Sequence, residues 1–202
     1  MQDAILVDDA SQDETTAKAE ELGIPTFKHA ANLGYGGNQK TCYQIALKRG
    51  ADAVIMLHPD YQYDPRLIPV LTACLSSGLY DVALGSRILG GKAQEKGMPP
   101  WKYAGNRALT GAMNLLTGAK LSEYHTGYRA YTREVLQALP LDSYSDGFAF
   151  DSQLLCGVIK RGFRIAEVTC PTRYEPDSSS INFHNSLRYA YDSLAAAWNI
   201  HK

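Results

Sequence analysis

Carboxylates follow directly on two apolar segments of this 202-residue chain. The first apolar run, residues 4–7, leads into Asp8 and Asp9, and the second, residues 53–57, leads into a His-Pro-Asp segment that ends at Asp60. Carboxylates grouped in this way can bind a hard divalent cation, accept hydrogen bonds from a ribose, or act as a general base. The pattern therefore predicts one site to which both segments contribute.

The segment after the second apolar run offers a partial set of ligands for a cation. In an extended chain His58, Asp60 and Gln62 would lie on one side, because side chains alternate along a strand. Mg²⁺ and Mn²⁺ sites usually combine one or two protein carboxylates with substrate phosphates and water. We therefore predict that these three residues hold Mg²⁺ or Mn²⁺. The alternative is that the segment forms only a turn, in which Pro and Asp are common.

A glycine-rich loop and three arginines could bind phosphate. Residues 34–37 (Gly-Tyr-Gly-Gly) precede a predicted helix, and the N-terminus of a helix attracts anions, although the loop matches neither common phosphate-binding motif. Arg87, Arg129 and Arg173 stand beside turns or strand ends. Together three guanidinium groups would suit a diphosphate or a phosphorylated acceptor, whereas each one alone is more often a surface residue.

The elements that must position these residues alternate between strand and helix. Strands without polar alternation are predicted at 4–8, 53–57 and 81–84, which indicates burial on both faces. Ser11 and Glu14 form a capping-box pattern at the start of a helix that closes at Gly23. We therefore predict an α/β fold with a doubly wound, mostly parallel sheet and helices on both faces, whose ligands bind beyond the carboxyl ends of the strands.

The chain is predicted to form a single domain over residues 1–202. Within it, residues 88–118 are expected to be a mobile, acceptor-side segment, with a Gly-, Lys- and Pro-rich loop before a helix at 101–117. Short strands near 120–131, helices at 149–161 and 184–199, and a strand at 163–168 follow.

Composition and charge exclude some classes of function. A net charge of −1 and a pI near 6.5 argue against a nucleic-acid partner. The four cysteines have neither CxxC nor metal-site spacing, which is typical of buried thiols in a reducing compartment. No apolar run approaches the roughly 18 residues of a membrane span, and no secretory signal is visible. We therefore expect a cytoplasmic location.

Taken in order, several segments resemble family 2 glycosyltransferases of the GT-A fold, particularly the dolichyl- and polyprenyl-phosphate sugar transferases. No single segment is specific, but their order and spacing are. The matching segments span nearly the whole chain: Val7–Asp13, Asn32–Gly34, His58–Gln62, Gly85–Arg87, Thr126–Arg129, Phe150–Asp151, Glu167–Val168 and Ser179–Ser180.

The resemblance implies transfer of a sugar from a UDP- or GDP-sugar, with metal-assisted departure of the nucleoside diphosphate. The acceptor would be a polyprenyl phosphate, reached from the cytoplasmic face of the membrane. Asp8, Asp9 and Gly34 would bind the nucleotide, and Asp60 with Gln62 would take the family's metal-binding position. A homo-oligomer is compatible with this reading.

The resemblance also implies roles for other residues. The predicted catalytic residues are Asp60, Arg87, Arg129 and Asp151, of which the two arginines would contact acceptor or donor phosphate. Arg173 to Ser180 would form a loop that closes near the diphosphate. A lipid phosphate needs no general base, whereas a hydroxyl acceptor does, and Asp151 and Glu123 are the candidates for that base. Trp101 and Tyr103 would flank a lipid-like acceptor.

Three departures from the family pattern leave alternatives open. His58 stands where the common metal motif has its first Asp, Ser180-Ile181 replaces the usual Ser-Lys, and the family's first strand-helix unit is absent. The chain could therefore be a fragment, need a partner, or be a catalytically impaired nucleotide-sugar-binding protein. A second alternative is a receiver-like signalling module with Asp60 as phosphoacceptor. The Gly-Ser-Arg end of strand 81–84 and the length of the chain argue against it.

Overall fold

A computed structural model describes residues 4–91, 97–172 and 183–201 of the chain. Strands and helices alternate, as the sequence predicts. The strands are β1 (Leu6–Asp8), β2 (Thr26–Lys28), β3 (Ala53–Met56), β4 (Val82–Ser86), β5 (Arg129–Thr132) and β6 (Ile165–Thr169). The helices are α1 (Thr15–Glu21), α2 (Tyr35–Lys48), α3 (Ile68–Ser76), α4 (Pro100–Thr117), α5 (Arg133–Ala138), α6 (Ala149–Lys160) and α7 (Phe183–Trp198).

The strands form a two-stranded parallel sheet, β1-β2, and a four-stranded sheet in the order β3-β5-β4-β6. In the larger sheet β4 and β6 are parallel, whereas β5 is antiparallel to both of its neighbours. The predicted α/β class is confirmed: β3, β4 and β6 run in one direction, and β5 runs against them.

The direction of β5 follows from the path of the chain before it. After α4 the chain returns along the carboxyl edge of the sheet, where Ser122 Oγ lies 2.7 Å from Ser86 Oγ at the end of β4. The chain therefore enters β5 from that edge and runs against β4. As a result, the residues just before β5 lie beside the carboxyl ends of β3 and β4.

Helices cover both faces of the larger sheet. Small side chains, Ala83 and Ala130, pack on one face against Leu71 and Leu75 of α3. On the other face, the larger cluster joins Val82, Leu84 and Tyr131 of the sheet to residues of α4 and α6. Because side chains alternate along a strand, this two-sided burial holds the strand ends in fixed positions.

Two element boundaries show what local signals could predict. Helix α4 begins at Pro100 and ends at Thr117, as expected from residues 101–117. Helix α1 begins only at Thr15, so the predicted Ser11 cap is wrong. The backbone N–H of Ser11 instead donates to Asp8 Oδ2 at 3.2 Å, and Asp13 Oδ1 accepts from Thr15 N–H at 3.0 Å.

The apolar residues of α4 divide between the core and the surface. Met113 is fully buried, and Leu109 and Leu116 pack against the larger core cluster, so they do not face a lipid. Trp101 and Leu115, in contrast, are 54% and 85% exposed. None of the described helices is long and apolar enough to span a bilayer.

Candidate active site

The carboxyl edge of the larger sheet brings together segments that are far apart in sequence. The loop after β3, residues 57–64, meets the segment that leads into β5. Tyr63 Oη accepts a 2.9 Å hydrogen bond from the N–H of Gly127. A Cβ atom added at Gly127 would lie 2.6 Å from His58 Nε2, so the imidazole rests directly on this glycine. Tyr35 at the N-terminus of α2 and Asp151 in the first turn of α6 also lie beside His58.

The chain after His58 turns instead of continuing as an extended strand. Tyr61 has a φ of 57°, in the left-handed region, and the N–H of Gln62 donates to Asp60 Oδ1 at 3.1 Å. The premise that His58, Asp60 and Gln62 alternate along a strand is therefore wrong, because Asp60 closes a local turn through its side chain. Gln62 as a metal ligand remains a prediction without that support.

The side chains of residues 4–91, 97–172 and 183–201 do not by themselves form a complete cation site at this edge. No group of three or more His, Cys, Asp and Glu residues in the described part of the chain is placed to bind a metal. The Asp60 carboxylate and the neighbouring His58 imidazole are suitable donors for Mn²⁺ or Mg²⁺. The donor set fits such an ion when a diphosphate and water complete the shell, which is the usual arrangement for Mg²⁺.

A buried hydrogen-bonded chain lies behind His58. His58 Nε2 is 3.2 Å from Tyr35 Oη, and Tyr35 Oη donates to Asp151 Oδ2 at 2.8 Å. Gln39 Nε2 donates to the other oxygen of Asp151 at 3.2 Å. Burial lowers the pKa of His58, although the nearby carboxylates of Asp151 and Asp60 act in the opposite direction.

The prediction that Arg129 contacts phosphate is wrong, because its side chain is fully buried. The guanidinium donates three hydrogen bonds of 2.7 Å to backbone carbonyls, from Nε to Thr126, from Nη1 to Asp151 and from Nη2 to Tyr124. Nη2 also lies 4.0 Å from Asp151 Oδ2. Arg129 therefore stabilises the edge from below and has no surface for a ligand.

The prediction that Glu123 could act as a general base also conflicts with its surroundings. Its side chain is fully buried, and Oε2 accepts from the backbone N–H of Arg87 at 2.8 Å while Oε1 accepts from Arg87 Nε at 2.8 Å. Asn106 Nδ2 donates to Oε1 at 2.8 Å. Burial alone would raise the pKa of Glu123, but the Arg87 guanidinium outweighs it and lowers that pKa. A buried, paired carboxylate of this kind cannot serve as a general base for an acceptor hydroxyl.

Asp151 is also a poor candidate for a general base. It is 6% exposed, and both of its carboxylate oxygens accept hydrogen bonds, from Tyr35 and Gln39. Arg87 differs from these buried groups because it keeps some exposure at the edge, although it also donates to the carbonyl of His125 at 2.9 Å. Of the two arginines, Arg87 keeps part of its side chain exposed whereas Arg129 does not, so contact of Arg87 with phosphate remains a prediction.

The predicted nucleotide-binding residues are held by contacts within the chain. Asp9 accepts hydrogen bonds from the N–H groups of Leu33 at 2.8 Å and Gly34 at 3.0 Å, and His29 Nδ1 lies 2.7 Å from Asp9 Oδ1. Asp9 is partly buried, which opposes ionisation, but these hydrogen bonds lower its pKa. Asp8 is 5% exposed and lies 3.5 Å from Lys28 Nζ. Binding of a nucleotide by Asp8, Asp9 and Gly34 therefore remains a prediction.

The glycine-rich loop does not present its next N–H groups to a phosphate. The N–H groups of Gly36 and Gly37 donate to the carbonyl of Asp146, at 2.7 and 3.1 Å. Gly34 has a φ of 87°, and an added Cβ would lie 2.7 Å from that same carbonyl oxygen. The glycines thus allow the segment before α6 to pack on the start of α2.

Two of the predicted site residues lie outside the described part of the chain, and three residues at the site were not predicted. Arg173 and Ser180, expected in a closing loop, lie outside the described residues. Sequence reasoning missed the parts played by Tyr35, Gly127 and Asp146. The signals were weak, since Tyr35 interrupts a glycine-rich run and Gly127 lies between two residues that draw attention to themselves, Thr126 and Tyr128.

The chain is similar to known glycosyltransferases in sequence. The family model described as glycosyl transferase family 2 matches residues 3–139. An uncharacterized protein of Methanocaldococcus jannaschii is 31% identical over 177 residues, which cover 87% of this chain and 72% of that protein. An undecaprenyl-phosphate mannosyltransferase of Micrococcus luteus is 29% identical over 177 residues, covering 82% of this chain and 70% of the relative.

A solved structure shares the architecture. Glucosyl-3-phosphoglycerate synthase from Mycobacterium tuberculosis, in complex with UDP, superposes with a TM-score of 0.73 at 18% identity, covering 97% of this chain and 68% of the synthase. Another structure of that synthase contains Mn²⁺ and UDP-glucose. Because the family model covers more than half of the residues and the strand order carries Asp60 to the carboxyl edge, the chain belongs to glycosyl transferase family 2, with the GT-A fold of a glycosyltransferase.

Proposed function

We propose that the chain transfers a sugar from a nucleoside-diphosphate sugar to a polyprenyl phosphate, with Mg²⁺ or Mn²⁺ bound beside Asp60. The observation that carries the proposal is the position of Asp60. It lies in the loop that follows β3, at the edge where His58, Gly127 and the end of β4 meet. The bound UDP, Mn²⁺ and UDP-glucose of the synthase support a nucleotide sugar and a cation, but do not choose between UDP and GDP.

The roles of the residues follow from what each can reach. Asp60 and His58 would hold the cation, which neutralises charge on the departing nucleoside diphosphate when it is bound. Arg87 would add a fixed positive charge near the same edge, since its guanidinium is anchored by Glu123. Asp8, Asp9 and Gly34 would contact the nucleotide, and Arg173 and Ser180 would complete the diphosphate site.

The burial of the two candidate bases favours a lipid phosphate as the acceptor. Glu123 and Asp151 are both buried and hydrogen-bonded, so neither is available to take a proton from a hydroxyl. A lipid phosphate is anionic and attacks without a base, which fits a site with no exposed base at these positions. The name of the undecaprenyl-phosphate mannosyltransferase relative supports the same acceptor.

Such an acceptor would bring the protein to the cytoplasmic face of a membrane. The exposed side of α4 carries Trp101, Ala104, Ala108 and Leu115, all of them apolar. Lys102 and Arg107 lie on the same helix, which has no acidic residue. An apolar stripe with aromatic and basic neighbours suits the interface of an anionic bilayer.

A catalytically impaired nucleotide-sugar binder is the second candidate, favoured by His58 in place of an acidic residue. The test has two stages. Calorimetry would measure the binding of UDP and GDP, with and without Mn²⁺, and radiolabelled UDP- and GDP-sugars would then be offered with polyprenyl phosphate. The proposal expects metal-dependent binding of one nucleotide and labelled lipid. Binding without labelled lipid identifies the impaired binder, and no binding of either nucleotide at millimolar concentration refutes both.

A further inference from the structure

The direction of the hydrogen bonds behind His58 is fixed by Tyr35. A phenol has one hydrogen to donate, and Tyr35 Oη donates it to Asp151 Oδ2 at 2.8 Å. Asp151 is an acceptor here, because Gln39 donates to its other oxygen and the Arg129 guanidinium lies 4.0 Å from Oδ2. A phenol keeps its proton near neutral pH, so Tyr35 can act as this donor.

The tautomer of His58 follows from this direction. Because Tyr35 Oη donates its hydrogen to Asp151, it can only accept a hydrogen bond from His58 Nε2, which lies 3.2 Å away. A neutral imidazole with its hydrogen on Nε2 carries a lone pair on Nδ1. In the described part of the chain Nδ1 has no hydrogen-bond partner. Among the described residues its lone pair is therefore left for a ligand.

The imidazole ring is also held in place sterically. It stacks on Tyr35 with a centroid separation of 5.4 Å and an interplanar angle of 23°. Phe148 packs on Tyr35 at 5.0 Å, and Gly127 leaves no room for a Cβ beside Nε2. A ring flip would break the Tyr35 hydrogen bond inside a packed site. The ring is therefore preorganised before any ligand arrives.

We propose that Tyr35, backed by Asp151, is a positioning residue that fixes His58 as the Nε2–H tautomer and thereby reserves Nδ1 as the nitrogen ligand of the divalent cation beside Asp60. Metal-binding histidines usually donate their second ring N–H to a carboxylate or carbonyl, which sets the tautomer and orientation. Here a phenol stands between the imidazole and the carboxylate. The inference rests on the proposed function only in requiring a cation at this edge.

The experiment compares Tyr35→Phe with a matched control, Tyr124→Phe. Tyr124 is also a buried phenol, and its hydroxyl contacts Thr117 and Asn114, away from His58. Long-range ¹H–¹⁵N spectra of the metal-free protein at pH 8 would identify the protonated nitrogen of His58. Electron paramagnetic resonance would measure Mn²⁺ binding in the presence of UDP or GDP. We expect Nε2–H in the unsubstituted chain, a 10- to 100-fold loss of Mn²⁺ affinity in Tyr35→Phe, and at most a twofold change in Tyr124→Phe.

The outcomes separate this inference from the proposed function. Protonation on Nδ1 in the unsubstituted chain, or equal Mn²⁺ affinity in Tyr35→Phe, overturns the inference while leaving a metal-dependent transferase intact. Absence of Mn²⁺ binding by the unsubstituted chain overturns both. If Tyr35→Phe does not fold, His58→Asn and His58→Gln decide, because their amide groups replace Nδ1 and Nε2 respectively. The inference then requires that Asn retain more Mn²⁺ affinity than Gln.

Discussion

The guanidinium of Arg129 donates a 2.7 Å hydrogen bond to the backbone carbonyl of Asp151, which joins the start of β5 to the first turn of α6. Two more hydrogen bonds from the same side chain hold the carbonyls of Tyr124 and Thr126. One buried cation thus fixes three segments that border the candidate active site. Substitutions can separate residues that stabilise the fold, such as Arg129, from residues that bind a ligand.

Substitution of Arg129 should act on folding. Arg129→Met leaves three buried carbonyls without a donor and removes the charge near Asp151, so we expect a loss of about 3–5 kcal/mol in the free energy of unfolding. Urea denaturation would measure it. Arg66→Met is the control, since the Arg66 side chain is exposed and loss of its ion pair with Asp64 should leave the stability nearly unchanged. Near-normal stability of Arg129→Met together with weaker donor binding would restore a phosphate-binding role.

Substitution of Asp60 should weaken metal binding and leave folding almost unchanged. Asp60→Asn keeps an oxygen that can accept from Gln62 N–H but removes the charge, so the melting temperature should hardly change. Metal-dependent nucleotide binding should be lost, and the transfer rate should fall on the order of 10²–10³-fold. Asp64→Asn is the control in the same loop, because Asp64 caps the turn at Arg66. A large drop in melting temperature with intact metal-dependent binding would make Asp60 a structural turn residue.

A methyl group at Gly127 should displace His58. The Cβ atom of Gly127→Ala would lie 2.6 Å from His58 Nε2 and 3.1 Å from Tyr35 Oη, so the imidazole must move. We expect a lower melting temperature and weaker Mn²⁺ binding, by calorimetry. Gly105→Ala on the open side of α4 has nothing within 4 Å and should be neutral or stabilising by up to about 1 kcal/mol. Unchanged Mn²⁺ binding in a folded Gly127→Ala protein would contradict the described position of His58.

His125 should make stability depend on pH. Burial lowers its pKa from 6.5 to about 4, with Arg87 and Arg129 acting in the same direction and Glu123 opposing. The unfolded chain then binds more protons between these values, so this contribution is fully present above about pH 6.5 and falls towards pH 4. It should cost roughly 2 kcal/mol between pH 7 and pH 5.

The measurement for His125 is urea unfolding of His125→Asn at both pH values. Asn keeps a polar atom near Nδ1, which contacts Tyr189 Oη at 2.9 Å. The difference in unfolding free energy between pH 7 and pH 5 should shrink by the contribution of His125 and retain that of His58, whose pKa burial also lowers. An unchanged difference would mean that His125 is protonated in the folded protein.

Trp101 should contribute to membrane binding. Its exposed indole lies on the apolar side of α4, so Trp101→Ala should reduce co-sedimentation with anionic liposomes while circular dichroism stays the same. Leu79→Ala is the control, because Leu79 is 64% exposed but follows α3 instead of α4. Equal sedimentation of the two variants and the unsubstituted chain would count against a lipid-facing α4.

Local signals in the sequence predicted much of the fold. Apolar runs without polar alternation predicted β1, which ends at Asp8, and β3, which precedes Asp60, and the Gly-, Lys- and Pro-rich loop marked the start of α4. The order of short segments gave the family, which the family model confirms. These features depend on residues that are close in sequence, so they can be predicted from the order of residues alone. The antiparallel direction of β5 was missed, because it depends on where the chain crosses the sheet edge after α4.

The sequence by itself determined the α/β class, the family and the position of Asp60 shortly after an apolar strand. Only the tertiary structure decided which of the charged residues stay exposed at the sheet edge. Arg129 and Arg87 look alike in sequence, yet one is fully buried among backbone carbonyls and the other keeps some exposure beside Glu123. The physical reason is that the partners of a buried charge come from distant segments, such as residues 124–126 and Asp151 for Arg129. No spacing along the chain records those contacts.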